Sequence, residues 1–170
     1  MHQTIGIITY AKNKQDAIDQ AQNILEGLTG DPAAFDYGEV YPKQATKASS
    51  KAGKKLIDDL WGYTKRDFMD HMAKIRRCIG LYTDTELMDE RPNDPKIKDD
   101  DIGMVRYYMR QVGEYRGPAV WLYDDEGEGI RTAKNLKNTL DKYACLYEER
   151  GLPNPKAAMD VWIVPADTHF

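Results

Sequence analysis

The sequence predicts an α+β fold: a ferredoxin-like βαβ-βαβ sheet with a helical insertion between its second and third strands. Three observations lead there. The chain opens strand–helix, it closes strand–helix–strand, and the segment between them, about 43–116, reads as helices. The alternative is a three-layer α/β fold with a mostly parallel sheet. A weak strand near Tyr37 separates the two, because pairing there favours the ferredoxin-like order. At 170 residues the chain reads as one domain with room for one sizeable core.

The first strand is the run Ile5 to Ala11, short, apolar and β-branched. Asn13 offers an N-cap with Asp16 three residues on. Ala17, Ile18, Ala21, Ile24, Leu25 and Leu28 then follow at helical spacing, and Gly30 with Asp31 and Pro32 closes that helix. The second strand falls within Phe35 to Tyr41, is interrupted by Gly38 and Glu39, and ends at Pro42. Residues 43–55 read as a loop running into a helix start capped by Ser49 or Ser50.

Leu56, Ile57, Leu60 and Trp61 form one apolar stripe, continued by Phe68, Met72, Ile75 and Ile79. Gly62, with a fresh capping box at Thr64 and Asp67, predicts a kink or restart between them. A long polar loop is expected from Thr83 to Asp101, with Pro92 and Pro95. Ile102, Val105, Met109 and Val112 mark the next helix, and Asp99, Asp100 and Asp101 suit its positive N-terminus. Pro118 to Tyr123 reads as a strand and 124–129 as an acidic turn. Ile130, Ala133, Leu136, Leu140, Ala144 and Tyr147 read as a long amphipathic helix, stopped by Gly151, Pro153 and Pro155. Asp160 to Val164 is the last strand.

Charge is more informative than its sum. The chain has 24 basic and 28 acidic residues, a net charge of -4, which excludes a strongly basic nucleic-acid binder by bulk charge alone. Yet residues 43–80 hold 10 basic against 4 acidic side chains, and residues 81–101 hold 8 acidic against 3 basic. Lys43, Lys47, Lys51, Lys54 and Lys55 follow one another with no acid among them, and Arg76 and Arg77 extend the set. Such a face neutralises phosphates or steers an acidic protein surface. The plainer reading is a solvated face partly paired with the acidic loop beside it. Tyrosine is abundant, 11 against 3 Phe. Arg106, Tyr107 and Arg110 interleave the two residue types that dominate binding hot spots. Their plainer reading is rings edging the core.

Catalytic signatures are sparse. The sequence has no G-x-S-x-G, Walker loop, G-x-G-x-x-G or H-E-x-x-H. His71 and Cys78 lie two helical turns apart, about 10 Å, too far for a direct pair. The sharpest local feature is the acidic turn holding Asp124, Asp125, Glu126 and Glu128, between a strand and a helix, where hard cations such as Mg2+ or Ca2+ find oxygen ligands. Against the calcium-loop pattern it fails, since the twelfth position is Asn135 rather than a bidentate Glu. A solvated βα turn is the plainer reading.

Cys78 and Cys145 lack metal-type spacing and read as two free thiols in a reducing compartment. No basic leader with a long apolar run opens the sequence and no stretch approaches the ~20 residues that span a bilayer. A cytoplasmic place and no membrane association are therefore expected. The leading functional expectation is a non-enzymatic interaction or regulatory protein. It would bind a macromolecule through the basic helical face and the Arg/Tyr surface, with a protein partner favoured over nucleic acid because net charge is negative. One alternative is a divalent-metal phosphoryl-transfer or hydrolytic enzyme built on the acidic turn. Another is an assembly subunit that pairs through the Leu56–Ile79 stripe. No cofactor is expected outside the metal alternative.

Overall fold

A computed structural model describes residues 1–30, 34–88, 102–142 and 159–170. The elements run β1 (His2–Ala11), α1 (Lys14–Leu28), β2 (Tyr37–Val40), a 3-10 turn (Pro42–Gln44), β3 (Thr46–Lys47), α2 (Lys51–Leu81), α3 (Asp84–Met88), α4 (Ile102–Gly113), β4 (Leu122–Tyr123), α5 (Ala133–Asp141) and β5 (Asp160–His169). This is an α+β protein with a mixed sheet. It divides into two units, Met1–Thr64 with Tyr115–Phe170, and Lys65–Glu114. The second unit lies inside the expected insertion of 43–116, while residues 43–64 belong to the unit that holds the sheet.

The sheet order is β2-β5-β1-β4, with β3 also paired to β5. β1 and β5 pair antiparallel along ten residues, from His2 opposite His169 to Ala11 opposite Asp160. β4 joins β1 in parallel. The ferredoxin-like order is not what forms. The weak second strand does exist and does pair, but with the last strand, whereas the ferredoxin-like order requires it to pair with the third. The mostly parallel alternative is not met either, since β5 is antiparallel to every strand it touches.

Proline explains why the edge beside β5 is broken in two. The carbonyl of Pro165 accepts the Tyr41 N–H at 2.8 Å, so in this antiparallel ladder the ring nitrogen of Pro165 faces the same edge and has no hydrogen to donate. There the edge strand leaves the ladder. β2 stops at Val40 opposite Ala166, the 3-10 turn intervenes, and β3 resumes at Thr46 opposite Ile163. The same proline made the last strand look five residues long; it continues through Pro165 to His169.

Alternation along the strands sorts the core. Ile5, Ile7, Val164 and Ala166 pack under Ala17, Ala21, Leu25 and Leu28 of α1. Ile8, Tyr10, Ile163 and Leu122 face Ile57 and Leu60 of α2, with Leu136 and Leu140 of α5 against them. The second unit has its own small core of Cys78, Tyr82 and Val105, flanked by Leu87.

Local signals were met unevenly. Asn13 caps α1 by accepting the Asp16 N–H at 3.0 Å. α1 ends at Thr29, whose N–H returns to Leu25 O. Ser50 caps α2 through the Gly53 N–H at 2.9 Å. No restart interrupts the helix near Gly62: α2 is one helical segment of 31 residues. Thr64 turns its hydroxyl back to Leu60 O at 3.2 Å and accepts the Trp121 N–H at 3.1 Å, so it serves the sheet unit rather than a new cap. Thr83 and Glu86 form a capping box that starts α3 inside the expected loop. Of the expected strand 118–123 only Leu122 and Tyr123 pair, because Gly117 at φ +112 and Pro118 hold the preceding residues in a turn. The closure of α1 at Asp31–Pro32, the acids at 99–101, the continuation of the last helix past Lys142, Cys145 and the prolines at 92, 95, 153 and 155 lie outside the described residues.

Candidate functional site

The lysines expected from the sequence gather at one end of the sheet, where β1 finishes and β5 begins. Lys47 on β3 reaches back to Asp160 at 2.6 Å, and Asp160 is opposite Ala11, the last residue of β1. Its ammonium lies 5.8 Å from the centre of the Trp162 ring, and the Trp162 indole N–H is tied to Ala11 O at 3.2 Å. Lys43 stands on the 3-10 turn, and Lys14, at the start of α1, donates to its carbonyl at 3.2 Å. Lys12 precedes it in the same connection. Gly53 brings the first turn of α2 onto this rim. A Cβ there would lie 2.1 Å from Lys47 O, so only glycine allows the helix so close. Lys51, Lys54 and Lys55 stand on that turn, all exposed.

Among the described residues Lys12, Lys14, Lys43, Lys51 and Lys54 have no carboxylate within ion-pair distance, whereas Lys47 holds Asp160 and Lys55 holds Asp59 at 2.5 Å. The bond to Asp59, together with its negative charge, raises the Lys55 ammonium above its ordinary range. The first turn of α2 carries no acid, so its lysines add to the positive end of the helix dipole instead of offsetting it. Lys12 and Lys14 are the members that sequence reading missed. They sit some thirty residues before the lysine run, and only the return of the chain along the edge of β5 places Lys43 beside them.

The other basic candidates belong to the second unit. Arg76 and Arg77 are exposed on the last third of α2. On α4, Arg110 pairs with Glu114 at 2.9 Å, Arg106 is exposed, and Tyr107 is 40% exposed with its ring edge-on to Tyr108. Tyr108 is buried, takes a hydrogen bond from Lys74 at 3.0 Å and stacks on His71. Cys78 is a buried free thiol in that unit's core.

The acidic turn is built differently. Asp124 Oδ1 accepts the N–H groups of Glu126 and Glu128, both at 2.9 Å, and Gly127 supplies φ +75 to close the turn. Asp125 and Glu126 both hold the Lys142 ammonium at 2.8 Å, and Glu128 holds Arg116 at 2.8 Å. The carboxylates thus serve the turn and two cations. Among the described residues no three His, Cys, Asp or Glu side chains gather in a way that would hold a metal ion, and no helix is long and apolar enough to cross a membrane.

The opposite end of the sheet holds a cluster that sequence reading did not single out. His2 and His169 face each other across β1 and β5, ring centres 5.3 Å apart. His2 Nδ1 is 2.9 Å from Asp167 Oδ2, and His169 Nδ1 is 3.1 Å from Asp36 Oδ2. Tyr37 stacks on His169 from β2. Partial burial, then the negative charges of Asp167 and Glu39, raise the nearby Tyr41 phenol.

Fold and surface together define an α+β protein with a mixed sheet, a lysine-rich rim at one end and a histidine–carboxylate cluster at the other. The chain belongs to the family described as Domain of unknown function (DUF7995), whose model matches residues 36–170. That match begins after β1, the strand that lies between β5 and β4. No curated protein and no solved structure matches the chain.

Proposed function

We propose that the protein is a non-enzymatic interaction protein that binds an acidic protein partner on the lysine rim at the end of β1. The observation that carries this reading is the group Lys12, Lys14, Lys43, Lys51 and Lys54, exposed and without carboxylate partners among the described residues. Gathering like charges at a helix N-terminus works against stability. It also concentrates positive potential, which raises the rate of encounter with an anionic surface. A protein partner is favoured over nucleic acid on two counts. The net charge is -4. The aromatic ring beside the rim, Trp162, is only 7% exposed, so it offers no platform for stacked bases. Arg106, Tyr107 and Arg110 of the second unit are proposed as further partner contacts.

The test is affinity capture from the native cytoplasm with the wild-type chain and with Lys43→Glu/Lys51→Glu/Lys54→Glu, followed by titration of the purified partner. The wild type should retain an acidic protein that the variant loses, the variant melting no lower than the wild type. Equal capture by the two chains would refute the proposal. Duplex or single-stranded nucleic acid bound at 50 mM salt and released by 200 mM would refute the protein partner and assign the rim to phosphates.

A further inference from the structure

We propose that His2 and His169 are the protein ligands of a binding site for a divalent transition-metal ion, with Zn2+ as its simplest occupant. Their positions follow from register. The two residues are directly opposed on β1 and β5, and side chains of directly opposed residues project from the same face of the sheet. On that face Gly6, Ile8 and Tyr10 alternate with the α1-facing residues of β1; Ile8 and Tyr10 lie under α2 and α5. Two-residue steps toward the other end reach Thr4 and His2, which are exposed. The His2 and His169 side chains are 64% and 38% exposed, so an ion from solvent can reach them.

The hydrogen bonds set which nitrogen is available. An ionised carboxylate can only accept, so Asp167 and Asp36 each require a proton on the Nδ1 they face. In the neutral ring the lone pair then lies on Nε2. Each histidine is thereby oriented by its own carboxylate, the arrangement that metal-binding histidines commonly show and that raises their basicity. The spacing also fits. With metal–nitrogen bonds of ~2.0–2.1 Å and a tetrahedral angle between them, the centres of two imidazoles on one ion lie about 5 Å apart; here they are 5.3 Å apart. Because no third His, Cys, Asp or Glu joins them among the described residues, the remaining positions would be taken by water. The ion would be one that prefers imidazole, Zn2+ or Ni2+ rather than Mg2+ or Ca2+.

The experiment uses the full chain without a histidine tag. Zn2+ is titrated while the histidine ring nitrogens are followed by 15N NMR, and affinity is measured by calorimetry against a Mg2+ control. Zn2+ should move the Nε2 signals of both His2 and His169, leaving Nδ1 of each protonated. His169→Ala should weaken Zn2+ at least 10-fold, and Asp36→Asn and Asp167→Asn about 10-fold each. Zn2+ that moves neither ring, or one ring alone, would overturn the site. So would a His2→Ala/His169→Ala chain that binds Zn2+ as the wild type does. The ring signals are read on the unaltered protein, so the outcome does not depend on any variant folding.

Discussion

The two ends of one pair of strands carry opposite chemistry. Where β1 ends and β5 begins, lysines crowd with few carboxylates to meet them among the described residues. Where β1 begins and β5 ends, each histidine ring has a carboxylate on it: Asp167 on His2 and Asp36 on His169. Among the described residues, the histidines of the second end are paired with carboxylates, whereas Lys12, Lys14, Lys43, Lys51 and Lys54 of the first are not. That contrast is why the lysine end is read as a surface for a macromolecule and the histidine end as a site for a small ion.

Trp162 is the strongest way to break the comparison, because it joins the shared core to the lysine rim. Its ring is buried, lies under Lys47 and is fixed to Ala11 O. Trp162→Ala should lower unfolding free energy by about 3–5 kcal/mol, measured by urea denaturation, and loosen both ends together. A smaller loss is expected at Tyr123, whose hydroxyl accepts the Gly117 N–H at 3.1 Å and donates to Gly117 O at 3.2 Å. Tyr123→Phe takes the partner from the buried Gly117 N–H, at about 1–3 kcal/mol, while Gly117 O keeps the Val120 N–H at 3.0 Å.

Tyr123 also fixes a pH dependence. Burial raises its phenol far above the ordinary range, against the weaker lowering effect of its hydrogen bond to Gly117. In the unfolded chain the phenol ionises near about 10; in the fold it stays neutral. Its contribution is therefore complete below about pH 10 and is lost as pH climbs from there toward the folded value. Urea denaturation from pH 9 to 11 should show stability falling with a shallower slope in Tyr123→Phe. The smallest change is expected for Lys43→Glu/Lys51→Glu/Lys54→Glu, whose melting temperature should be no lower than that of the wild type: the side chains are exposed and unpaired among the described residues, and acids in the first turn of α2 relieve its like charges by about 0.3–1 kcal/mol each.

The two ends also differ in how far the sequence discloses them. The lysine rim was legible because Lys43 to Lys55 are neighbours in the chain, and Ser50 was readable as the cap that starts their helix. Lys12 and Lys14 were not, since only the pairing of β3 with β5 brings Lys43 to them. The histidine end was illegible for the same reason in stronger form: His2 and His169 meet only through a register that no local pattern encodes. α1 and the first strand were legible because period and cap agree there. The sheet order was not, because a weak strand such as β2 pairs with whichever neighbour the rest of the fold presents. Pro165 misled in a specific way. A proline argues against a paired strand, yet here the neighbouring edge strand is the one that yields, and β5 runs on.

The most direct test of the central claim is the affinity of the captured partner for the wild type and for Lys43→Glu/Lys51→Glu/Lys54→Glu, each at 50 and 200 mM salt. The wild type should bind more tightly at 50 mM and lose affinity at 200 mM, with the variant weak at both. Equal affinities for the two chains, with no dependence on salt, would contradict a function carried by the lysine rim.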